Sequence, residues 1–464
     1  MVRQFMKKNE KTEAKQDLGS GSVGGLMARL AVPAVLAQVV NLLYNIVDRI
    51  YIGHIPEVGA SALTGVGLFT PILMLMNAFA MLGGAGGAPR AAIAMGRQEH
   101  DGAEKIMGNC FSTLLIFAAV LTAVFYAAAP AMLKFFGGSG QTLPYAVDYS
   151  RIYILGSVFV LVVMGMNPFI ITQGFAKTSM LTTVIGAVIN IILDPVFIFG
   201  LDMGVKGAAL ATVLSQGVSA VWILKFLTGK KTILRLKVPN MKLEWKVIGP
   251  CLALGISTFV MLSTESLLSM SFTNRLQLYG GDVAVGAMTI ITSVSMLVSM
   301  PLQGICQGGQ PLISYNFGAG RRDRVKRAFR LQLTVCAAYA LGFWALLMAV
   351  PGAFARIFND DPSLVAYTAW ALRIYMAGIF AMGFQIACQQ SFMALGQAVI
   401  SLLLACLRKL VLLIPLIYAL PLFFADKAFA VFLAEPVSDI LAATVTTIMF
   451  LTRFNKILDK GPAK

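Results

Sequence analysis

The stretch GGAPRAAIAMG at residues 86–96 recurs later in the chain as GGQPLISYNFG at residues 308–318. The second copy lies 222 residues after the first, and the same offset places RIY at 151–153 onto RIY at 373–375. One offset that holds across separated motifs indicates an internal duplication. The chain is therefore expected to consist of two related halves.

Composition predicts that both halves lie in a membrane. The 464 residues are 58% hydrophobic and 12% charged, whereas about a quarter of the residues in a soluble domain are charged. Apolar runs of about 20 residues, each long enough to cross a bilayer core of roughly 30 Å, recur along the whole chain. We expect an all-α integral membrane protein whose twelve spans, numbered in chain order, lie at roughly 26–53, 59–88, 107–130, 151–172, 179–201, 205–227, 247–271, 283–310, 329–350, 370–393, 398–421 and 428–451.

The twelve spans divide into two six-helix bundles. Because six is an even number, both bundles have the same orientation in the membrane and form a parallel repeat. Transporters built in this way bind substrate between the halves, which rock to expose the site. The predicted divisions are a cytoplasmic N-terminal tail (1–25), an N-lobe (26–227), a basic cytoplasmic linker (228–246), a C-lobe (247–451) and a cytoplasmic C-terminal tail (452–464).

The net charge of +16 has a membrane explanation. Most of the 37 Lys and Arg residues lie at the side of the predicted spans that carries both termini, so this side is predicted to be cytoplasmic. The run RRDRVKR at 321–327 is then expected to be a loop near anionic lipid headgroups, and nucleic acid is not an expected partner. The first 25 residues lack the apolar segment of a signal peptide and are expected to be retained.

Cysteine and histidine usage argues against two classes of site. The six cysteines lie within predicted spans and show no CxxC spacing, which is typical of buried apolar side chains rather than disulfides or metal ligands. The two histidines, His54 and His100, are predicted at opposite membrane faces. We therefore expect no metal site built from histidine.

Four polar residues in the outer half of the first bundle form the main candidate site. Asp48 lies in span 1 within NLLYNIVDRIYIGH, Asn190 and Asp194 lie one helical turn apart in span 5, and Thr212 lies in span 6. Two carboxyl groups, an amide and a hydroxyl can coordinate a small hard cation such as Na⁺, or share a proton. The alternative is that Asp48 pairs with Arg49, that Asp194 starts a turn before Pro195, and that the other two polar groups bond the backbone.

The second bundle contains three further intramembrane charges. Glu265 in span 7 is a second candidate cation site, or a carboxylate bonded to neighbouring Ser and Thr hydroxyls. Arg408 and Lys409 in span 11 could extend their charged ends toward the cytoplasm. Alternatively, Arg408 lines the substrate cavity, where it would repel cations or bind an anionic substrate.

A substrate cavity between the bundles would be lined by polar and flexible residues. Gln38, Asn41 and Asn45 form a polar stripe along span 1 that leads toward Asp48. Methionine suits promiscuous binding because its side chain repacks around different shapes. The candidate lining residues are Gln38, Asn41, Tyr44, Asn45, Met164, Met300, Gln307 and Arg408.

Four segments resemble the multidrug and toxic compound extrusion (MATE) transporters: LYNIVDRIYIGH, NIILDPVFIFGLDMGVKGAALATVLSQ, GICQGGQPLISYNFGAG and AEPVSDIL. With the duplication, the resemblance covers nearly the whole chain. It implies a V-shaped, two-lobed exporter that exchanges organic, often cationic, compounds for sodium ions or protons, with the N-lobe set Asp48, Asn190, Asp194 and Thr212 as its cation site.

Two positions depart from the family pattern. Arg49 stands where many members carry a small hydroxyl residue, and Phe384 stands where a C-lobe site has an aspartate that assists the glutamate matched by Glu265. Coupling is therefore expected in the N-lobe. We expect a monomer in the cytoplasmic (inner) membrane of a prokaryote, with a small organic substrate, the lipid bilayer as its surroundings and no cofactor besides the coupling ion.

Two other functions stay open from the sequence. A lipid-linked sugar flippase of the same superfamily should show several cavity arginines, whereas Arg408 is the single candidate. A membrane-embedded enzyme would need a nucleophile with a base, or a metal motif, and the sequence contains neither HExxH nor a paired intramembrane histidine. The chain is therefore not expected to be an enzyme.

Overall fold

The structure, a computed structural model, describes residues 18–358 and 361–462, so that residues 1–17 of the predicted N-terminal tail and the last two residues of the C-terminal tail lie outside the described residues. Within the described ranges the chain is helical and contains no strand. Nine of the described helices are long and apolar enough to span a membrane, and two bent helix pairs bring the total to eleven. The helix of 74 residues is interrupted at Gly281 (φ 63°) and supplies two spans, which gives the twelve predicted from the sequence.

The first half contains seven α-helices, of which α4 and α5 together form span 4. They are α1 (Val23–Gly53), α2 (Gly59–Gly96), α3 (His100–Phe135), α4 (Leu143–Leu155), α5 (Ser157–Thr172), α6 (Ala176–Pro195) and α7 (Val205–Thr228). The second half repeats this plan with α8 (Trp245–Gly318), α9 (Arg322–Ala349), α10 (Pro351–Arg356), α11 (Pro362–Tyr375), α12 (Ile379–Ala394), α13 (Ala398–Cys406), α14 (Ile414–Ala419) and α15 (Lys427–Lys460).

Spans 5 and 11 each contain a π-helical turn. Residues Val196–Gly200 continue α6, and residues Leu407–Leu413 join α13 to α14. Such turns interrupt the regular i to i−4 hydrogen bonds and occur often at functional sites. Both turns lie beside the polar clusters described below.

Spans 4 and 10, each predicted as one span, consist of two helices joined at a bend. The helices α4 and α5 meet at 58°, and α11 and α12 meet at 48°. A Cβ at Gly156, between α4 and α5, would lie 2.4 Å from a Val213 methyl group, and one at Gly378 would lie 2.8 Å from Pro436 Cα. Because these two glycines are related by the repeat offset, both halves use the same close contact at the bend.

The recurring glycine stretch forms the interface between the halves. A Cβ at Gly96 would lie 2.0 Å from the Tyr315 carbonyl oxygen, and one at Gly318 would lie 2.0 Å from the Ile93 carbonyl oxygen. The backbones of α2 and α8 therefore touch with no side chain between them, as small residues allow in membrane helices. The glycine stretch that reveals the duplication therefore also forms the contact between the two halves.

We predict that Gly96→Ala destabilises the protein by about 1–3 kcal/mol, because the new methyl group must displace backbone atoms across the interface. Thermal unfolding of the purified protein in detergent measures the effect. Gly342→Ala is the matched control, since its Cβ would meet no atom within 4 Å in α9. Equal unfolding temperatures for the two variants would contradict close packing at Gly96.

The segment that enters each half is bound by the other half. The main chain before α1 is held by α8 and α9, since Asn316 Nδ2 donates to the Leu18 carbonyl at 3.0 Å and Arg324 donates to the Gly21 carbonyl at 2.8 Å. The linker before α8 is held by the first half through Gln173, whose Oε1 accepts from the backbone N–H groups of Ile233 (2.8 Å) and Leu234 (2.7 Å). Each half therefore holds the segment that precedes the first helix of the other half.

The run at 321–327, expected to be a loop, is the start of a helix. Its arginines contact the protein, because Arg322 pairs with Asp459 at 2.6 Å and both Arg321 and Arg324 donate to main-chain carbonyls before α1. The sequence did not reveal these partners because they lie more than a hundred positions away in the chain.

We predict that Gln173→Leu frees the linker from the first half. Gln173 is fully buried and also accepts from the Thr232 hydroxyl at 2.7 Å. That hydroxyl has a second acceptor in the Leu234 carbonyl, so the substitution leaves the two backbone N–H groups unpaired, at about 1–3 kcal/mol each. Limited trypsin digestion should then cleave the linker, which contains Lys230, Lys231 and Arg235, much faster than in the wild type. The exposed Gln141→Leu is the control, and unchanged cleavage in Gln173→Leu would refute the attachment.

Candidate functional site

The structure brings the four N-lobe candidates together. Asp48 on α1, Asn190 and Asp194 on α6, and Thr212 on α7 are all buried. Asn190 Nδ2 donates to Asp194 Oδ1 at 3.1 Å and to Thr212 Oγ1 at 3.4 Å. Thr212 donates in turn to the Ala208 carbonyl at 3.0 Å. Asn190, Asp194 and Thr212 are therefore joined by hydrogen bonds, with Asp48 near enough to interact with Asp194, and the role of these four residues in binding a cation stays a prediction.

Three oxygens of this N-lobe cluster have no donor. Among the described residues, none donates a hydrogen bond to Asp48 Oδ1, Asn190 Oδ1 or Asp194 Oδ2, and all three atoms are buried. The two carboxyl groups also lie near enough to interact with each other. Two buried carboxyl groups repel unless a proton or a cation lies between them. An oxygen-only set of this kind fits a small hard cation or a proton.

Across residues 18–358 and 361–462, Arg49 forms no ion pair with the N-lobe cluster. Its side chain is exposed while that of Asp48 is buried, as expected for neighbours on a helix, which point in different directions. Within the described part of the chain, no ion pair joins the two residues. The alternative in which Arg49 pairs with Asp48 is therefore wrong.

Sequence reasoning missed two tyrosines near the N-lobe cluster. Tyr149 and Tyr153 on α4 are buried, stack with ring centroids 5.9 Å apart and lie near enough to Asp48 to interact with its charge. Tyr153 belongs to the repeated RIY motif, and this repetition is the signal that could have identified it.

The predicted cavity residues are each partly exposed, and two of them are poor candidates for substrate contact. Asn45 Nδ2 donates to the Asn41 carbonyl at 2.6 Å, so this amide is used within α1. Met164 packs against the apolar core of the first half. The partly exposed residues are Gln38, Asn41, Tyr44, Asn45, Met164, Met300, Gln307 and Arg408, and their contact with substrate stays a prediction.

A second charged cluster lies in the C-lobe. Arg408 Nη2 lies 3.0 Å from Glu435 Oε1 and 2.7 Å from Asp439 Oδ1. The Lys409 ammonium group pairs with Glu265 and donates to the Met261 carbonyl at 2.7 Å. These contacts correct two expectations. The charged ends of Arg408 and Lys409 are buried and paired rather than extended out of the helix bundle, and Glu265 bonds an ammonium group rather than Ser or Thr hydroxyls.

The acidic partners of Arg408 were missed in the sequence although both lie in the quoted segment AEPVSDIL. Glu435 and Asp439 are four residues apart on α15 and therefore share one face of the helix. Two acidic residues at this spacing inside an apolar span are a sequence signal from which both could have been identified. Because Arg408 already contacts both acidic side chains, its charge is not available to attract an anionic substrate.

The two clusters occupy corresponding places in the two halves. The N-lobe cluster uses spans 1, 5 and 6, and the C-lobe cluster uses spans 7, 11 and 12. Each cluster lies beside the π-helical turn of its half. The first cluster contains no basic side chain, whereas the second contains Arg408 and Lys409, so duplication has produced two sites with different electrostatics.

Comparison with known proteins agrees with this twofold architecture. The MatE family model matches the chain twice, at residues 33–196 and 256–419. Multidrug export protein MepA of Staphylococcus haemolyticus is 23% identical over 423 residues, which cover 91% of this chain and 92% of that protein. MepA of Staphylococcus aureus strain NCTC 8325 is 21% identical over 441 residues, which cover 93% and 95% of the two chains.

A solved structure supports the fold independently. The crystal structure of MATE in the bent conformation superposes with a TM-score of 0.89 at 22% identity and covers 96% of this chain and 98% of that one. Such a likeness shows a shared fold, and the all-α membrane architecture expected from the sequence is thereby confirmed. Because the family model matches both halves of the duplicated chain, the protein belongs to the MatE family, as the resemblance of its motifs to the MATE transporters implied.

Proposed function

We propose that the protein is a secondary active multidrug efflux antiporter, which exports cationic or amphipathic organic compounds in exchange for sodium ions or protons. The observation that carries the proposal is the buried N-lobe cluster, in which oxygens of Asp48, Asn190 and Asp194 have no donor among the described residues. The relatives named as multidrug export proteins support the substrate class.

The helix α1 connects this N-lobe cluster to the opposite half. It carries Asp48 near one end and packs along α6 of its own half and along α8 of the other. The contact with α8 is close, since a Cβ at Gly308 would lie 2.4 Å from Ala31 Cα. A change in charge at Asp48 that alters the packing of α1 is therefore passed directly to the interface between the lobes.

Exchange follows from the charge of the N-lobe cluster. A cation that enters from outside neutralises the carboxyl pair, which allows α1 to repack and the substrate space to contract. Pro33 lies within α1, where the missing backbone hydrogen bond favours a bend. The cation drives the cycle only if it binds the two conformations with different affinity. The protein would work as a monomer in a prokaryotic cytoplasmic membrane, with both termini inside.

The structure favours neither alternative function. A lipid-linked sugar flippase should show several cavity arginines, and the single candidate, Arg408, is paired with Glu435 and Asp439. A membrane-embedded enzyme finds no support among the relatives, which are named as export proteins. Export of organic compounds is therefore the function to test first.

The test uses purified protein in liposomes that contain a fluorescent cationic dye. A sodium gradient and a pH gradient are imposed separately, and protein-free liposomes are the control. We expect one gradient to drive dye movement that depends on the protein, which also names the coupling ion. Failure of both gradients to move the dye would overturn the proposal.

A further inference from the structure

The C-lobe cluster carries an unbalanced charge. Glu265, Glu435 and Asp439 bring three carboxyl groups, whereas Arg408 and Lys409 bring two positive charges. If every group were ionised, one negative charge would remain within the membrane. An uncompensated charge at this depth is costly, so the cluster must either acquire a positive charge or lose the negative one.

The geometry identifies the carboxyl group that is left over. Asp439 Oδ1 accepts from Arg408 Nε at 2.8 Å and lies 2.7 Å from Nη2 of the same guanidinium, and Lys409 pairs with Glu265. Glu435 receives one contact, from Arg408 at 3.0 Å to Oε1. Its Oε2 is buried, and no described residue donates a hydrogen bond to it. Glu435 as a whole is only 9% exposed.

The ligand that fits this position is a proton rather than a metal ion. Hard cations in proteins need several oxygen ligands, and among the described residues the cluster offers one buried carboxyl oxygen without a partner, beside the positive charges of Arg408 and Lys409. A proton needs a single oxygen. The N-lobe cluster differs because it offers three such oxygens and no basic side chain.

We propose that Glu435 binds one proton within the membrane, so that the C-lobe holds a proton-specific site separate from the N-lobe cation site. The proton forms an O–H bond at Oε2, and the cluster then contains two carboxylates and two positive charges. The groups that face Glu435 are Asp439 on its own helix, Arg408 and Lys409 from span 11, Glu265 from α8 and Tyr375 from α11.

Glu265 gives the C-lobe cluster a connection to its surroundings. Its side chain is 48% exposed, whereas that of Lys409, with which it pairs, is 5% exposed. Separation of this pair would open a path from the exposed side of the cluster toward Glu435. Protonation of Glu435 would then depend on the conformation of the C-lobe, and its contribution to transport rests on the proposed antiport function.

Infrared spectroscopy tests the proton directly. The variant Asp48→Asn/Asp194→Asn removes the N-lobe carboxyl groups and serves as the background. Near neutral pH we expect this background to show the carbonyl stretching band of a buried protonated carboxylic acid. The frequency of this band should shift when the protein is transferred to heavy water. Adding Glu435→Gln should abolish the band, whereas adding Glu99→Gln, an exposed residue, should leave it unchanged.

Three results would overturn the assignment: no such band in the background, a band that survives Glu435→Gln, or a band lost in Asp439→Asn but not in Glu435→Gln. Glu435→Asp retains an acid and should retain a band, which separates loss of the proton from loss of the fold. Because the spectrum needs neither substrate nor gradient, failure of the antiport proposal leaves this test valid. If antiport holds, fewer protons should move per dye molecule in Glu435→Gln.

Discussion

Replacing Asp194 with Asn is expected to reduce gradient-driven dye export to the level of protein-free liposomes. The substitution preserves shape and leaves an amide oxygen to accept from Asn190 Nδ2, which now donates to Asp194 Oδ1 at 3.1 Å. It removes one of the two carboxyl groups, so the N-lobe cluster no longer has two negative charges that require a cation. Without cation uptake, the gradient cannot favour either conformation.

The measurement is the initial rate of dye movement, normalised to the amount of protein incorporated. Asp148→Asn is the matched control, since Asp148 forms an exposed pair with Lys206 at 3.4 Å and such pairs contribute little to stability. The control should retain wild-type transport. Normal transport by Asp194→Asn would remove Asp194 from the coupling mechanism, while an unfolded variant would be recognised by its thermal profile.

Replacing Arg408 with Met is expected to destabilise the protein by about 3–5 kcal/mol, because in a buried site Asp439 loses its counter-charge and Glu435 loses its hydrogen-bond donor. This is a large part of the total stability of a typical domain, about 5–15 kcal/mol. Arg408 contacts Glu435 and Asp439 at 3.0 and 2.7 Å, so both partners are affected at once. We expect low yields and a clearly lower unfolding temperature in detergent.

Two comparisons make this second prediction specific. Arg322→Met breaks the pair with Asp459, whose side chains are 53% and 67% exposed, and should cost less than about 1 kcal/mol. Combining Arg408→Met with Glu435→Gln and Asp439→Asn removes the carboxyl groups that the single substitution leaves without a partner. The triple variant should therefore regain much of the lost stability. If Arg408→Met were as stable as Arg322→Met, the C-lobe cluster would not be a buried charge network.

The sequence by itself determined the number of spans, the duplication and the residues of the N-lobe cluster. Each of these features has a local signature. An apolar run long enough to cross a bilayer marks a span, a constant offset marks a repeat, and Asn190 and Asp194 share a helix face because of their spacing. Asp48 stands out because a carboxyl group in an apolar run is energetically costly and therefore indicates a functional role.

The tertiary structure decided which charges meet. Arg408 lies 27 and 31 positions from Glu435 and Asp439, and Lys409 lies 144 positions from Glu265. Whether such groups touch depends on the rotation and crossing of α15, α8 and the π-helical turn, which are set by packing along their whole lengths. The bends at Gly156 and Gly378 likewise depend on contacts with distant helices. A sequence pattern records the environment of one segment, whereas a charge network is a property of several segments packed together.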